Sequence, residues 1–280
     1  HEYLGLRKSV KITYKDVDKG GTSVEGGDVA VMWKKSQTVN GAVFRKGKLV
    51  GVIQVRVGKA SKNGEVTISG TITGLDGKKL TAKGGKVPVS GESATVALTV
   101  RDGTIATVMV SADGVSGSWD DAEIKAAEVG SDWIKSGAAV TVDADDLSMF
   151  SGTVLSDLLP QNEQATVNNG KWKFAKAAGV KWAKPKKGAE PPEIYDEESG
   201  KGLVVDTSAG KTNLSGLKLA YVPKKGTFKG SFKVYALEGE GKARKLKKYV
   251  VKVSGVVVDG VGYGTATCKR PPASWPVTVR

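Results

Sequence analysis

The chain has 280 residues, of which 39% are hydrophobic and 26% charged, and its formal net charge is +14. That apolar content suffices for one large or two ordinary cores and excludes a disordered tail, and no apolar run approaches the roughly 18 residues of a membrane helix. A single histidine, His1, and a single cysteine, Cys268, exclude polyhistidine zinc sites and an intrachain disulfide and weigh against Ser-His-Asp and Cys-His catalysis.

Alternation with period two runs along the chain and predicts antiparallel strands buried on one face. SVKITY (residues 9–14) is the first candidate. In KLVGVIQVRV (48–57), Leu49, Gly51, Ile53, Val55 and Val57 fall on one face, and in EVTISGTIT (65–73) Val66, Ile68, Gly70 and Ile72 do the same. ATVALTV (94–100) and TIATVMV (104–110) follow. DDAEIKAA (120–127) and TVLSDLLP (153–160) each predict a helical turn or two, the second ended by Pro160. GLVVD (202–206) and LKLAYV (217–222) read as strands again. In GTFKGSFKVYA (226–236), Phe228, Gly230, Phe232 and Val234 face one way and Lys229, Ser231 and Lys233 the other. YVVKVSG (249–255) and PVTV (276–279) complete the series. Asp76-Gly77, Asp102-Gly103, Asp113-Gly114 and Asp259-Gly260 favour the primed turns of hairpins. Lys184–Gly202, charged and carrying Pro185, Pro191 and Pro192, reads as a long surface loop.

The chain repeats itself. Gly51–Val55 aligns with Gly230–Val234, Gly58–Ala60 with Gly241–Ala243, Val66–Gly70 with Val251–Gly255, Asp76-Gly77 with Asp259-Gly260, and Thr81-Ala82 with Thr265-Ala266. The conserved order predicts an all-β protein of two related antiparallel β-meander modules, barrel- or sandwich-like, with very little helix. The expected modules are residues 1–130 and 131–280, joined in the acidic, strand-poor stretch between Val129 and Asn168.

Only seven of the 43 basic residues are arginine, so the charge argues for diffuse attraction to polyanions and against sequence-specific nucleic-acid readout. Lys171–Lys187 holds seven lysines and no acid, and Lys224–Lys252 holds ten basic residues against Glu238 and Glu240. Between Asp113 and Glu163 eleven acids face only Lys125 and Lys135, an asymmetry that also permits head-to-tail self-association. Lys229, Lys233, Lys247 and Lys252 are the candidate polyanion-binding residues. Trp172 and Trp182, interleaved with lysines in KWKFAKAAGVKWAKPKK, can stack sugars, although Trp172 and Phe174 share a face as core residues do.

Other chemistries fare worse. His1 matches an amino-terminal copper brace only in part, because the second histidine is missing. Cys268 has no imidazole base and reads as a buried small residue. GVGYG (260–264) neither opens a helix nor carries Gly-Lys-Ser/Thr. Asp143, Asp145 and Asp146 are weak calcium candidates without EF-hand spacing. Adjacent carboxylates such as Asp120-Asp121 keep a carboxylate-based hydrolase as a remote alternative. Asn168, Asn169 and Asn213 are available for a lysine–asparagine cross-link, which depends on proximity in space. No cofactor is expected.

GVIQVRVGKASKNGEVTISGTITGLDGKKLTAKG (51–84), the join DLLPQNEQATVNNGKWKFAKAAGVKWAK (157–184) and the stretch from Thr212 to Pro271 resemble paired modules near the C-termini of large secreted proteins of the planctomycete–verrucomicrobial bacteria. The resemblance covers most of the chain after Trp33. It carries no catalytic motif. It implies an exported, modular, extracellular or cell-surface protein and no reaction. The lysine-rich strand faces add the expectation of a non-enzymatic module with an anionic partner such as an acidic polysaccharide. Exposed β-edges and the acidic middle between basic stretches keep a structural subunit of a surface filament as the alternative.

Overall fold

A computed structural model of the chain describes residues 9–10, 29–90, 93–100, 103, 105–111, 114–119, 122–125, 140–141, 147–160, 163, 165–168, 171–258 and 261–280. The protein is all-β and antiparallel. Among the described residues helix is limited to short 3-10 turns such as Val31–Lys34, Ser156–Leu158 and Pro223–Lys225. No helix among them is long and apolar enough to cross a membrane.

Two short strands, β1 (Ser9–Val10) and β2 (Val29–Ala30), pair ahead of the first large sheet. That sheet is an up-and-down meander of eight strands: β3 (Gln37–Arg45), β4 (Lys48–Val57), β5 (Glu65–Gly74), β6 (Lys79–Pro88), β7 (Ala94–Val100), β8 (Ile105–Ser111), β9 (Gly114–Trp119) and β10 (Ala122–Lys125). Strand β10 returns to β3, pairing Glu123, Ile124 and Lys125 with Phe44, Val43 and Ala42, and closes a barrel. The weak seam lies between β6 and β7, where among the described residues only Ala82–Val100 and Lys83–Thr99 pair, so the barrel is nearly closed.

Alternating side chains point inward and fill the barrel: Val43, Ile53, Val55, Ile68, Ile72, Leu98 and Val108 are fully buried, with Trp33 among them. Each contributes about 1.5–3 kcal/mol on leaving water. Gly41 sits where a Cβ would press into Val115, Ile124 and Ile53, so the filled interior requires a residue without a side chain there.

Of the helical turn expected over 120–127, the described residues 122–125 form strand β10 instead. Ala122 and Ile124 point into the barrel, and the pairing with both β9 and β3 decides the conformation against a weak local preference. A second correction concerns β4. A bulge opposite Val43/Phe44 shifts the alternation, so Val50 faces the barrel core while Leu49 joins an apolar cluster on the outside.

The second large sheet is a half-barrel. Its strands are β11 (Val140–Thr141), β12 (Thr153–Val154), β18 (Lys218–Val222), β19 (Thr227–Glu238), β20 (Lys245–Val258), β21 (Val261–Lys269) and β22 (Pro272–Val279), in the order β11-β22-β21-β20-β19-β12, with β18 also paired to β19. Its concave side buries Phe228, Phe232, Val234, Val251, Val253, Ala266, Trp275 and Val277. Leu147, Phe150, Leu159, Ala165 and Trp172 cover them. A small hairpin of β13 (Thr166–Asn168) and β14 (Lys171–Lys173) carries Trp172. A three-stranded sheet of β15 (Gly179–Ala183), β16 (Tyr195–Asp196) and β17 (Lys201–Asp206) contributes Val180, Leu203 and Val205, with Ile194 just ahead of β16, to a cluster around Tyr235, Leu155 and Leu158. The predicted loop over 184–202 is thus irregular only as far as Ile194, and then pairs as β16 with the start of β17.

The internal repeat keeps strand order and faces but not register. Strands β4 and β19 correspond, as do β5 and β20. Val55 faces Gly70, whereas its counterpart Val234 faces Tyr249, six residues short of Gly255. Because the slip is even, Ile68 and Val253 still point inward.

Candidate functional site

The half-barrel's convex face follows from strand parity. On β19, Phe228, Phe232 and Val234 point into the core, so Lys229, Ser231 and Lys233 point out. On β20, Val251 and Val253 point in, so Lys252 and Ser254 point out. The ladder sets Lys229 opposite Ser254 and Ser231 opposite Lys252, while Lys218 of β18 lies opposite Ser231 from the other side. Adjacent strands lie about 4.8 Å apart, so Lys218 and Lys252 stand two strand spacings, about 9.6 Å, from each other across Ser231, with Lys229 on the diagonal.

The near-closed barrel supplies the opposite wall. The outer face of β3–β4 places Ala42 and Val52 against Val256 and Val258 of β20, with Phe44, Leu49 and Tyr263 around them. The rings of Phe44 and Tyr263 meet edge to face at 5.4 Å. At the centre sits Asn40, 0% exposed. Its Nδ2 donates to the Lys225 carbonyl at 2.7 Å and the Gly226 carbonyl at 3.1 Å, and its Oδ1 accepts from Gln54 Nε2 at 3.2 Å. A buried amide with these partners fixes the turn after β18 onto the barrel.

This docking brings the Asp76-Gly77 turn, between β5 and β6, over the convex lysines. Gly77 has a φ of +74°, which the turn needs, and a Cβ built on it would lie 3.6 Å from Thr267 Cγ2. Between turn and sheet lies a cleft of about 730 Å³ with Lys218, Lys229 and Lys252 at its sides, Ala220 and Gly230 on its floor, and Asp76 on its far wall. A second cavity of about 340 Å³ continues past Lys229 toward Lys79, Lys225 and Gln54. Among the described residues the ion pairs are Lys78–Asp76, Lys211–Asp206 and Lys247–Glu238, none of which involves a lysine at the sides of the first cleft. Cations without an ion-pair partner around a concave, small-residue floor are suited to hold an anion.

Of the residues singled out from the sequence, Lys229 and Lys252 meet in this cleft. Lys233 lies further along the same face of β19, where burial, followed by the charges of Lys248 and Lys218, pushes its ammonium below the ordinary lysine range. Lys247 lies on the other face of β20, beside Tyr249, and pairs with Glu238 at 3.5 Å. There Glu238 accepts hydrogen bonds from Tyr249 OH at 2.6 Å and Ser151 Oγ at 2.5 Å. These hydroxyls, reinforced by Lys247, hold its carboxyl at about 2. The cluster ties the Ser151–Gly152 turn to the sheet. Trp172 is buried and stacks on Tyr221 with ring centroids 5.7 Å apart, and Trp182 sits half-buried in β15, so neither lines the cleft. Lys218, Lys79 and Lys225 were missed, although the alternation in LKLAYV already sets Lys218 opposite the buried Leu217 and Leu219.

The remaining sequence candidates that lie among the described residues do not converge. Cys268 is buried and its Sγ donates to the Arg270 carbonyl. Asn213 spends its amide on the backbone of Ala175 and Leu217. Asp143, Asp145, Asp146, Asn169 and His1 lie outside the described residues, and no cluster of three potential metal ligands occurs among those described. Glu163, buried beside Ser215, accepts from the Ser215 backbone N–H at 2.6 Å and from its hydroxyl. Burial raises its carboxyl above the ordinary range despite those bonds.

Comparison of the chain with models of known families, with curated proteins and with solved structures returned no significant match in any of the three.

Proposed function

We propose that this protein is a non-enzymatic binding module for an anionic polymer, an acidic glycan being the leading example, and that the polymer lies in the cleft between the two sheets. The observation that carries the reading is the convergence of Lys218, Lys229 and Lys252 on one cleft, drawn from three adjacent strands, with no ion-pair partner among the described residues. The lysine-over-arginine bias favours diffuse charge attraction over base reading. The sequence resemblance to paired modules of secreted bacterial proteins supports an extracellular or cell-surface setting.

The test is retention of the purified chain on neutral and acidic polysaccharides at physiological and at high salt. Retention on acidic polymers alone, abolished by high salt, is expected. Lys229→Glu combined with Lys252→Glu should lower affinity by about 100-fold, since each reversal exchanges an attraction for a repulsion. Lys247→Glu, on the opposite face, should leave affinity within about twofold of the parent. Undiminished binding by the double variant would remove the cleft from the reading.

A further inference from the structure

The anion cleft contains a carboxylate. Asp76 stands on the wall facing Lys218, Lys229 and Lys252, and it is the one acidic residue among the lining side chains. A carboxylate there is a cost for any bare anion, because it repels the charge that the lysines attract. Two details bear on what it can do. Asp76 Oδ1 accepts the Lys78 backbone N–H at 2.9 Å, which anchors the carboxyl group within its turn. Asp76 Oδ2 has only Lys78 Nζ at a loose 3.5 Å, and the side chain is 51% exposed, so this oxygen retains capacity to accept. The rest of the lining adds hydroxyl groups at Ser254 and Thr267 and a floor of Ala220 and Gly230.

Resting on the binding reading above, we infer that Asp76 is a specificity-determining residue that selects anions bearing hydroxyl groups, which makes an acidic saccharide the ligand class of the cleft. The lysines hold the acid group of one sugar. Asp76 accepts hydrogen bonds from hydroxyls on the opposite edge of that sugar or its neighbour. Ser254 and Thr267 serve the ring's remaining polar groups, and the shallow floor receives its C–H face. An anionic chain without hydroxyls meets the same lysines and gains nothing from Asp76, only repulsion. The carboxylate therefore costs a bare polyanion affinity and returns it to a saccharide through charge-assisted hydrogen bonds.

The experiment compares two carboxylate polymers, polygalacturonate with hydroxyls and polyacrylate without, binding to the full chain and to Asp76→Asn at fixed ionic strength. Asparagine suits the turn and keeps an acceptor for the Lys78 N–H, so the variant changes charge and leaves the wall in place. The parent should prefer polygalacturonate, and Asp76→Asn should reduce that preference by about five- to tenfold, the loss of the charge assistance to one hydrogen bond, with polyacrylate binding strengthened. The strengthened polyacrylate binding also reports that the variant is folded. If affinity for both polymers rises by the same factor, or neither moves, Asp76 does not select hydroxyls and the inference fails while the lysine cleft stands. If the parent binds neither polymer, the binding reading falls, and the inference with it.

Discussion

The two large sheets obey the same grammar of hairpins but finish differently. The first closes on itself and fills its interior with aliphatic side chains such as Ile53, Ile68, Ile72 and Leu98. The second stays open and uses larger rings, Phe228, Phe232 and Trp275, which Phe150 and Trp172 help to cover from segments outside the main strands. A closed sheet satisfies its edges and spends its inner face. A half-barrel must recruit a cover for its concave side, and the part of its convex side left between the barrel contact and the cluster around Tyr235 carries charge. The cleft arises where the convex face of the open sheet meets a turn of the closed one.

Core deletions in the two sheets should have the largest effects and show how tightly the sheets are coupled. Phe232→Ala should cost about 3–5 kcal/mol and Ile68→Ala about 2–5 kcal/mol. Because Ala42, Val52, Val256 and Val258 form a shared cluster, calorimetry should show either substitution lowering one common transition. Two transitions, of which each variant shifts only one, would mean that the sheets unfold independently.

Asn40→Leu should cost about 1–3 kcal/mol, since it removes the donor to the Lys225 carbonyl and strands the Gln54 amide. It should also broaden or split the common transition while leaving Ile68 and Phe232 in their cores. An unchanged, sharp transition would show that the apolar contacts alone couple the sheets.

The smallest effects belong to two carboxylates of the half-barrel that titrate in opposite senses. Glu238 is held at about 2, below its ordinary value, by Ser151 and Tyr249 and then Lys247. Its contribution is therefore complete above the ordinary carboxylate value and disappears as pH falls through about 2. Glu163 is raised by burial, so its contribution is complete below the ordinary value and disappears as pH rises through the elevated one. Urea midpoints against pH should show Glu238→Gln flattening the acid limb and Glu163→Gln flattening the decline on the other side. The same slope in both variants would contradict the opposed environments.

Much of this fold is legible in the sequence because period-two alternation states which side chains are buried. Phe228, Phe232 and Val234 against Lys229 and Lys233 needed no further information. Strand β10 was harder, since AEIK is too short to separate a strand from a helical turn until β3 and β9 are seen to flank it. Reading Lys247 and Lys252 as parts of one lysine-rich strand face fails, because their opposite parity on β20 places them on opposite faces. The cleft itself was not legible. It joins Asp76 to Thr267, positions 191 residues apart, through the docking of one sheet on another, and no local pattern records that docking. Asn40 carries the same lesson: in sequence it is one polar residue on the solvent side of a strand, and only the carbonyls of Lys225 and Gly226 make it a clamp.

The closure of β10 onto β3 has a mechanical side. The two strands are antiparallel neighbours, and the last residue of β10, Lys125, lies beside Ala42, toward the end at which β3 begins. Tension drawn through the chain on either side of the barrel therefore pulls both strands from the same end. The pairs at Lys125, Ile124 and Glu123 are loaded one after another, as in a zip, and never all together in shear. A tethered copy of this chain would yield first at that seam, at low force and with a long extension, while the twelve-residue β19–β20 ladder held.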